Sequence, residues 1–149
     1  MPYENEARLF FSAKSENEAL ARLFAAGFLA QLDPTISEIT DIKTAVSEAV
    51  TNAIIHGYDS KEGIVELFCG FWEDTVIIEV ADCGKGIENI LQAREPLYTS
   101  KPEMERSGMG FTIMETFMDE IMVESKIGEG TRIFMKKTLA KGSLFWDNY

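Results

Sequence analysis

Apolar residues along this chain switch between a period of two and a period near 3.6, and the switches predict its elements. Arg8 to Ala13 reads as a short first strand. Ser15-Glu16-Asn17-Glu18 then places a capping hydroxyl and acids in a first turn, which signals a helix start. Leu20, Leu23, Phe24, Gly27, Phe28 and Leu32 follow at helical spacing and predict the buried stripe of that helix, with Arg22 and Ala26 off it. Pro34 breaks the run. Ser37 or Thr40 opens a second helix, with Ile42, Ala45, Val46, Ala49, Val50 and Ala53 as its inner face.

Ile64 to Gly70 and Thr75 to Ala81 are rich in β-branched and aromatic residues and are separated by Phe71-Trp72-Glu73-Asp74, so they predict a strand pair. The second strand delivers Asp82 at its end. From Ile87 to Arg106 the pattern weakens, because Pro96 and Pro102 interrupt it and the charges are mixed; such a stretch between glycine clusters suits a mobile lid. Phe111, Ile113, Met114 and Phe117 restore helical spacing over Gly110 to Met118. Ile121 to Ser125 and Arg132 to Thr138 flank Gly128-Glu129-Gly130 and predict a closing hairpin. The pattern describes one domain over residues 1–139. A tail over 140–149 carries Phe145, Trp146 and Tyr149 without periodicity, a composition that fits either disorder or docking on a partner.

Composition narrows the class. At 149 residues, 46% hydrophobic and 26% charged, the chain reads as one soluble globular domain, and no apolar run approaches the roughly 20 residues of a membrane helix. The acidic N-terminus has no apolar segment and is no secretory signal, so a cytoplasmic protein is expected. A formal net charge of −11 repels phosphate backbones and argues against direct nucleic-acid binding. Cys69, Cys83 and the lone His56 form no recognisable metal-ligand spacing, so both cysteines are expected as free thiols. Cys83 sits within a glycine motif.

Three motifs carry the chemistry. In Ser47-Glu48-Ala49-Val50-Thr51-Asn52-Ala53-Ile54-Ile55-His56-Gly57, Glu48 and Asn52 lie four apart and project from nearly the same angle of a helix. Asp82-Cys83-Gly84-Lys85-Gly86 and Ser107-Gly108-Met109-Gly110 supply backbone where side chains would block a close ligand. Neither the GxxxxGK[ST] phosphate loop nor a protein-kinase catalytic-loop signature is present. Each motif alone is ordinary, but all three in this order point to an ATP site. Glu48 is then the candidate base for the attacking hydroxyl. Asn52 is a neutral oxygen ligand for a Mg²⁺ held mostly by nucleotide phosphates. Asp82 can accept from an exocyclic amine and so read adenine, while Gly84 and Gly86 let the backbone approach the ring. Ser107, Gly108, Met109 and Gly110 precede a helix whose N-terminus can hold phosphates. His56 shares the helical face of Asn52 but sits at the helix end, where packing or capping is the plainer role.

This arrangement resembles the GHKL ATPase superfamily: Glu48 and Asn52 match its N box, Asp82, Gly84 and Gly86 its first glycine box, and Ser107-Gly108-Met109-Gly110 its second. Within it, residues 48–58, Lys101-Pro102-Glu103-Met104-Glu105-Arg106 with the following 107–115, and Ala30-Gln31-Leu32-Asp33-Pro34-Thr35 look like the sporulation anti-sigma-F factors of endospore-forming bacteria. The resemblance spans roughly residues 8 to 139. It implies an α/β two-layer sandwich, a mixed and mostly antiparallel sheet covered on one face by helices. It also implies a dimeric protein-serine kinase that binds and inhibits a sporulation sigma factor when loaded with Mg²⁺-ATP and phosphorylates an anti-anti-sigma factor. By the same resemblance Thr131 is a water-mediated helper at the nucleotide, and Arg22 is an exposed contact for both protein partners. The Phe145-Trp146 tail is not part of the family pattern, and Cys83 occupies a variable place in it. A stress-response anti-sigma kinase of the same group, and a nucleotide-holding binding module without phosphotransfer, are the alternatives. A detached histidine-kinase catalytic domain fits least, for want of a dimerisation helix pair with a phospho-accepting histidine.

Overall fold

The computed structural model of the chain describes residues 2–59, 61–94 and 110–140. Strand β1 (Asn5–Ser12) leads into helix α1 (Asn17–Leu29), a 3-10 turn at Ala30–Leu32, and helix α2 (Ile36–Asn52), which continues into one π-helical turn at Ala53–Gly57. Strands β2 (Ile64–Trp72) and β3 (Thr75–Asp82) follow, then the short helix α3 (Ile90–Ala93), helix α4 (Gly110–Phe117), and strands β4 (Glu120–Lys126) and β5 (Gly130–Thr138). The sheet order is β1-β2-β3-β5-β4, and all four pairings are antiparallel. The expected two layers are present, with no parallel pair among the described strands. No helix among the described residues is long and apolar enough to cross a membrane.

Alternation along the strands decides which face the helices cover. Val65, Leu67 and Cys69 of β2, Val76, Ile78 and Val80 of β3, and Ile133 and Met135 of β5 are buried and join one core with α1, α2 and α4. Cys69 is a thiol of that core, and burial pushes its pKa up to about 12, so it stays protonated and unreactive. Cys83 is exposed, and both cysteines are free, as expected.

Helix α1 departs from the predicted stripe. Its buried residues are Ala21, Ala25 and Leu29, whereas Leu20 and Leu23 are 47% and 66% exposed and nothing lies within 4 Å of where a Gly27 side chain would start. Large apolar residues mark the inner face only when the neighbour leaves room for them. Here α1 packs on α2 and its buried positions beside Leu29 are the small Ala21 and Ala25, while Leu20 and Leu23 face outward. Phe24 and Phe28 flank the contact, partly buried.

The start of α2 also lies elsewhere than expected, at Thr35 rather than Ser37 or Thr40. Thr35 Oγ1 accepts from Glu38 N–H at 3.0 Å while Glu38 Oε1 accepts from Thr35 N–H at 2.8 Å, a reciprocal cap for a helix end that would otherwise leave its N–H groups unpaired. The other carboxylate oxygen of Glu38 accepts from Ala140 N–H at 2.7 Å, tying the end of β5 to the start of this helix. Of the lid, Ile87 to Arg94 is described and contains α3, capped by Asn89, whose Oδ1 accepts from Gln92 N–H at 3.0 Å. Residues 95–106 and the 141–149 part of the tail lie outside the described residues.

Candidate functional site

Helix α2 buries Ile42, Ala45, Val46, Ala49 and Val50 against the sheet, which leaves Glu48 and Asn52 on its flank, one turn apart. At Asn52 the α-helix gives way to the π turn, and single π turns are frequent at functional sites. The widened turn carries His56 and Gly57 to the edge of a cleft of about 670 Å³, a size typical of small-molecule sites. Asn52, His56, Gly86, Gly110, Phe111 and Thr131 are among the residues lining it. Of the sequence-predicted residues, Asn52, Gly86, Gly110 and Thr131 therefore meet in one place. Glu48 lies one turn back along α2, and Ser107, Gly108 and Met109 fall outside the described residues.

Asp82 ends β3, and neither it nor Gly84 is among the residues lining this cleft. The register partner of Asp82 on β5 is Thr131, which does line it, and among the described residues these two are the buried polar ones, 7% and 5% exposed. Burial raises the Asp82 carboxyl above its ordinary pKa, and backbone hydrogen bonds from Gly84 and Thr131 oppose the rise; Gly84 N–H lies 2.9 Å from Asp82 Oδ1. The carboxylate is aimed at Gly57, where a Cβ would stand 2.7 Å from Asp82 Cγ. Gly57 lines the cleft, so Asp82 packs against the back of a cleft-lining residue. On the other side Asp82 borders a second hollow of about 700 Å³, together with Tyr58, Ile64 and Cys83.

Two glycines of the Asp82-Cys83-Gly84-Lys85-Gly86 stretch are needed for reasons of space. A Cβ on Gly84 would sit 1.9 Å from the Gly57 carbonyl oxygen, and Gly86 adopts φ +81 with Lys126 O only 2.4 Å from where its Cβ would be. Lys85 between them is held along its backbone, its N–H donating to Gly57 O and its carbonyl accepting from Gly128 N–H, both at 2.9 Å. Its ammonium lies 3.3 Å from Asp59 Oδ1.

Several site residues had no signal in the motifs. Ser125 on β4 accepts from Ile87 N–H at 2.6 Å and lies 2.8 Å from Thr131 Oγ1, so one hydroxyl joins the glycine loop to the floor of the cleft. Ile127, in the β4–β5 turn, reaches the cleft although 62% exposed. Their contribution depends on which strand lies beside which, and spacing along the chain does not encode that. Arg22 is on α1, away from the cleft; its Nε is 2.9 Å from Glu18 Oε1, the oxygen that also accepts from Ser47 Oγ.

Comparison with known proteins bears on the family and the fold. A family model described as the histidine kinase-like ATPase domain matches residues 11–137. An anti-sigma F factor of Clostridium perfringens (strain SM101) is 62% identical over 91% of this chain and 98% of its own length. Another, from Clostridium botulinum (strain Alaska E43), is 61% identical over 91% of this chain and 95% of its own length. Among solved structures, the RsbU and RsbW domains of Rv1364c from Mycobacterium tuberculosis superpose with a TM-score of 0.66 at 21% identity, covering 91% of this chain and 32% of that one. The catalytic domain of histidine kinase ThkA does so with a TM-score of 0.56 at 15% identity, covering 88% and 96%. At such identities the two structures speak to the fold alone. With its sequence and its domain both accounted for, the chain belongs to the anti-sigma F factor family, built on the histidine kinase-like ATPase domain.

Proposed function

We propose that this chain is an ATP-dependent protein-serine kinase that phosphorylates an anti-anti-sigma factor and that also binds and inhibits a sporulation sigma factor. One observation carries the reading: a single cleft gathers Asn52, Gly86, Gly110 and Thr131, with Asp82 behind it, packed on Gly57 and paired with Thr131, and Glu48 one helical turn from Asn52. The donor set suits Mg²⁺-ATP, because Asn52 offers a neutral oxygen to a cation whose charge is met by phosphates, and Asp82 offers an acceptor to the adenine amine. Bound there, Mg²⁺-ATP supplies the transferable phosphoryl group and neutralises charge on it. Glu48 accepts the serine proton as the hydroxyl attacks, Gly84 and Gly86 let backbone approach the ring, and Ser107, Gly108, Met109 and Gly110 wrap the phosphates. Thr131 holds a water beside the base. Arg22 serves the protein partners, on a surface separate from the cleft, and the working form is a cytoplasmic homodimer.

Incubation with labelled ATP, Mg²⁺ and the anti-anti-sigma protein encoded nearest to this chain tests the reading. Label is expected on a serine of that protein. Nucleotide binding without label would instead leave a nucleotide-dependent binding module.

Asp82→Asn gives a paired expectation. Its folded-state pKa is raised, so the folded protein binds the proton more tightly than the unfolded chain, and stability from this group falls as pH rises through the folded pKa. At neutral pH the ionised carboxylate is therefore a cost, and the amide is expected to raise the melting temperature of the nucleotide-free protein. The same change removes the second acceptor oxygen, and preference for ATP over GTP is expected to disappear. A variant that melts lower, or still prefers ATP, contradicts the assignment.

A further inference from the structure

The loop bearing Asp82, Gly84 and Gly86 is held from one side by two consecutive residues, Gly57 and Tyr58. Gly57 does so through its carbonyl, which accepts from Lys85 N–H at 2.9 Å. Tyr58 does so through its side chain. Its hydroxyl accepts from Cys83 N–H at 2.7 Å and donates to Ile64 O at 2.7 Å, so the peptide immediately after Asp82 is fixed to the first residue of β2. The ring is fixed in turn: a Cβ on Gly63 would come within 2.4 Å of it. Burial and the nearby Asp82 and Cys83 raise the phenol further above its usual pKa, so it stays protonated and able to donate.

Resting on the adenine-reading role given above to Asp82, we propose that Tyr58 is a positioning residue for that carboxylate, acting through the Asp82–Cys83 peptide rather than by touching nucleotide. Tyr58 borders the same second hollow as Asp82, and its hydroxyl is taken up by Cys83 N–H and Ile64 O, so its hold is on the backbone of the loop. The carboxylate itself accepts from Gly84 N–H, two residues on, and from the Thr131 backbone, and the hold on the Cys83 peptide restrains the first of these donors. Tyr58 thereby becomes a determinant of nucleotide selectivity from outside the site.

Two variants remove the restraint in different ways. Tyr58→Phe keeps the ring and deletes the hydroxyl. Gly63→Ala keeps the hydroxyl and pushes the ring, and Gly63 has no left-handed φ to resist the methyl. Dissociation constants for ATP and GTP, measured on both variants and the unmutated protein, provide the test, with melting temperatures beside them. ATP affinity is expected to fall about 5- to 10-fold in each variant, the scale of one neutral hydrogen bond, while GTP affinity stays level because guanine offers no amine at that place. An ATP-to-GTP ratio that stays at the unmutated value in both variants overturns the proposal, even if both melt lower, since that pattern describes a residue that only stabilises the fold. Should Tyr58→Phe fail to fold, Gly63→Ala decides alone by the same ratio. Failure of the adenine-reading role itself has a different signature: the unmutated protein would bind ATP and GTP equally.

Discussion

Glu48→Gln is expected to bind Mg²⁺-ATP as the unmutated protein does and to transfer phosphate about 10²- to 10⁴-fold more slowly, the usual scale for losing a general base. The substitution preserves the size of the side chain and its place on α2, where Glu48 is partly buried beside the Ala45, Ala49 and Val50 face. The negative charge and the capacity to take a proton go, while the volume stays. Asn52, one turn on, and the cleft it lines are untouched, so a nucleotide-binding titration and a single-turnover transfer assay should separate cleanly. If affinity and rate fall together, Glu48 is helping to hold nucleotide instead, and the base must be sought elsewhere.

The second large effect is expected at Gly84. Gly84→Ala would place a methyl carbon 1.9 Å from the carbonyl oxygen of Gly57, and the obstacle is backbone, which cannot swing aside as a long side chain does. Two backbone segments already joined by the Lys85 N–H to Gly57 O bond must separate, and a forced repacking of this kind costs about 3 kcal/mol. Because Gly57 also packs on the Asp82 carboxylate, the strain falls on the wall of the cleft. Denaturant unfolding should show the loss of stability, and ATP binding should drop with it. Gly27→Ala is the matched control, since nothing lies within 4 Å of its added carbon; it should leave ATP affinity unchanged. Normal ATP binding by Gly84→Ala would mean that the close approach of these two loops is dispensable.

What the sequence disclosed depended on how local each signal is. The strands β2 and β3 were legible because their β-branched and aromatic residues, Val65 and Phe68 against Val76, Ile78 and Val80, are what a buried sheet selects. The three motifs were legible because their spacing acts within one helix or one turn. The inner face of α1 was not, because whether Leu23 or Ala25 faces inward depends on what packs opposite, and that is another helix. Tyr58, Gly57 and Ser125 were missed for a related reason. Nothing along the chain announces that residue 58 will meet residue 83, or that residue 125 will meet residue 87.

The place of β5 in the sheet bears on how this protein is made. It is the final strand in chain order, yet it lies inside the sheet, between β3 and β4, and it supplies Thr131 opposite Asp82. A chain emerging from the ribosome can form the β2–β3 hairpin and both long helices, but it has no floor for its cleft until Gly130 to Thr138 pairs with the open edge of β3, with β4 on its outer side, and Ala140 reaches Glu38, 102 residues back. Long-range pairing of this sort is slow compared with forming helices. The cleft that Thr131 lines is therefore completed only when this strand joins the sheet.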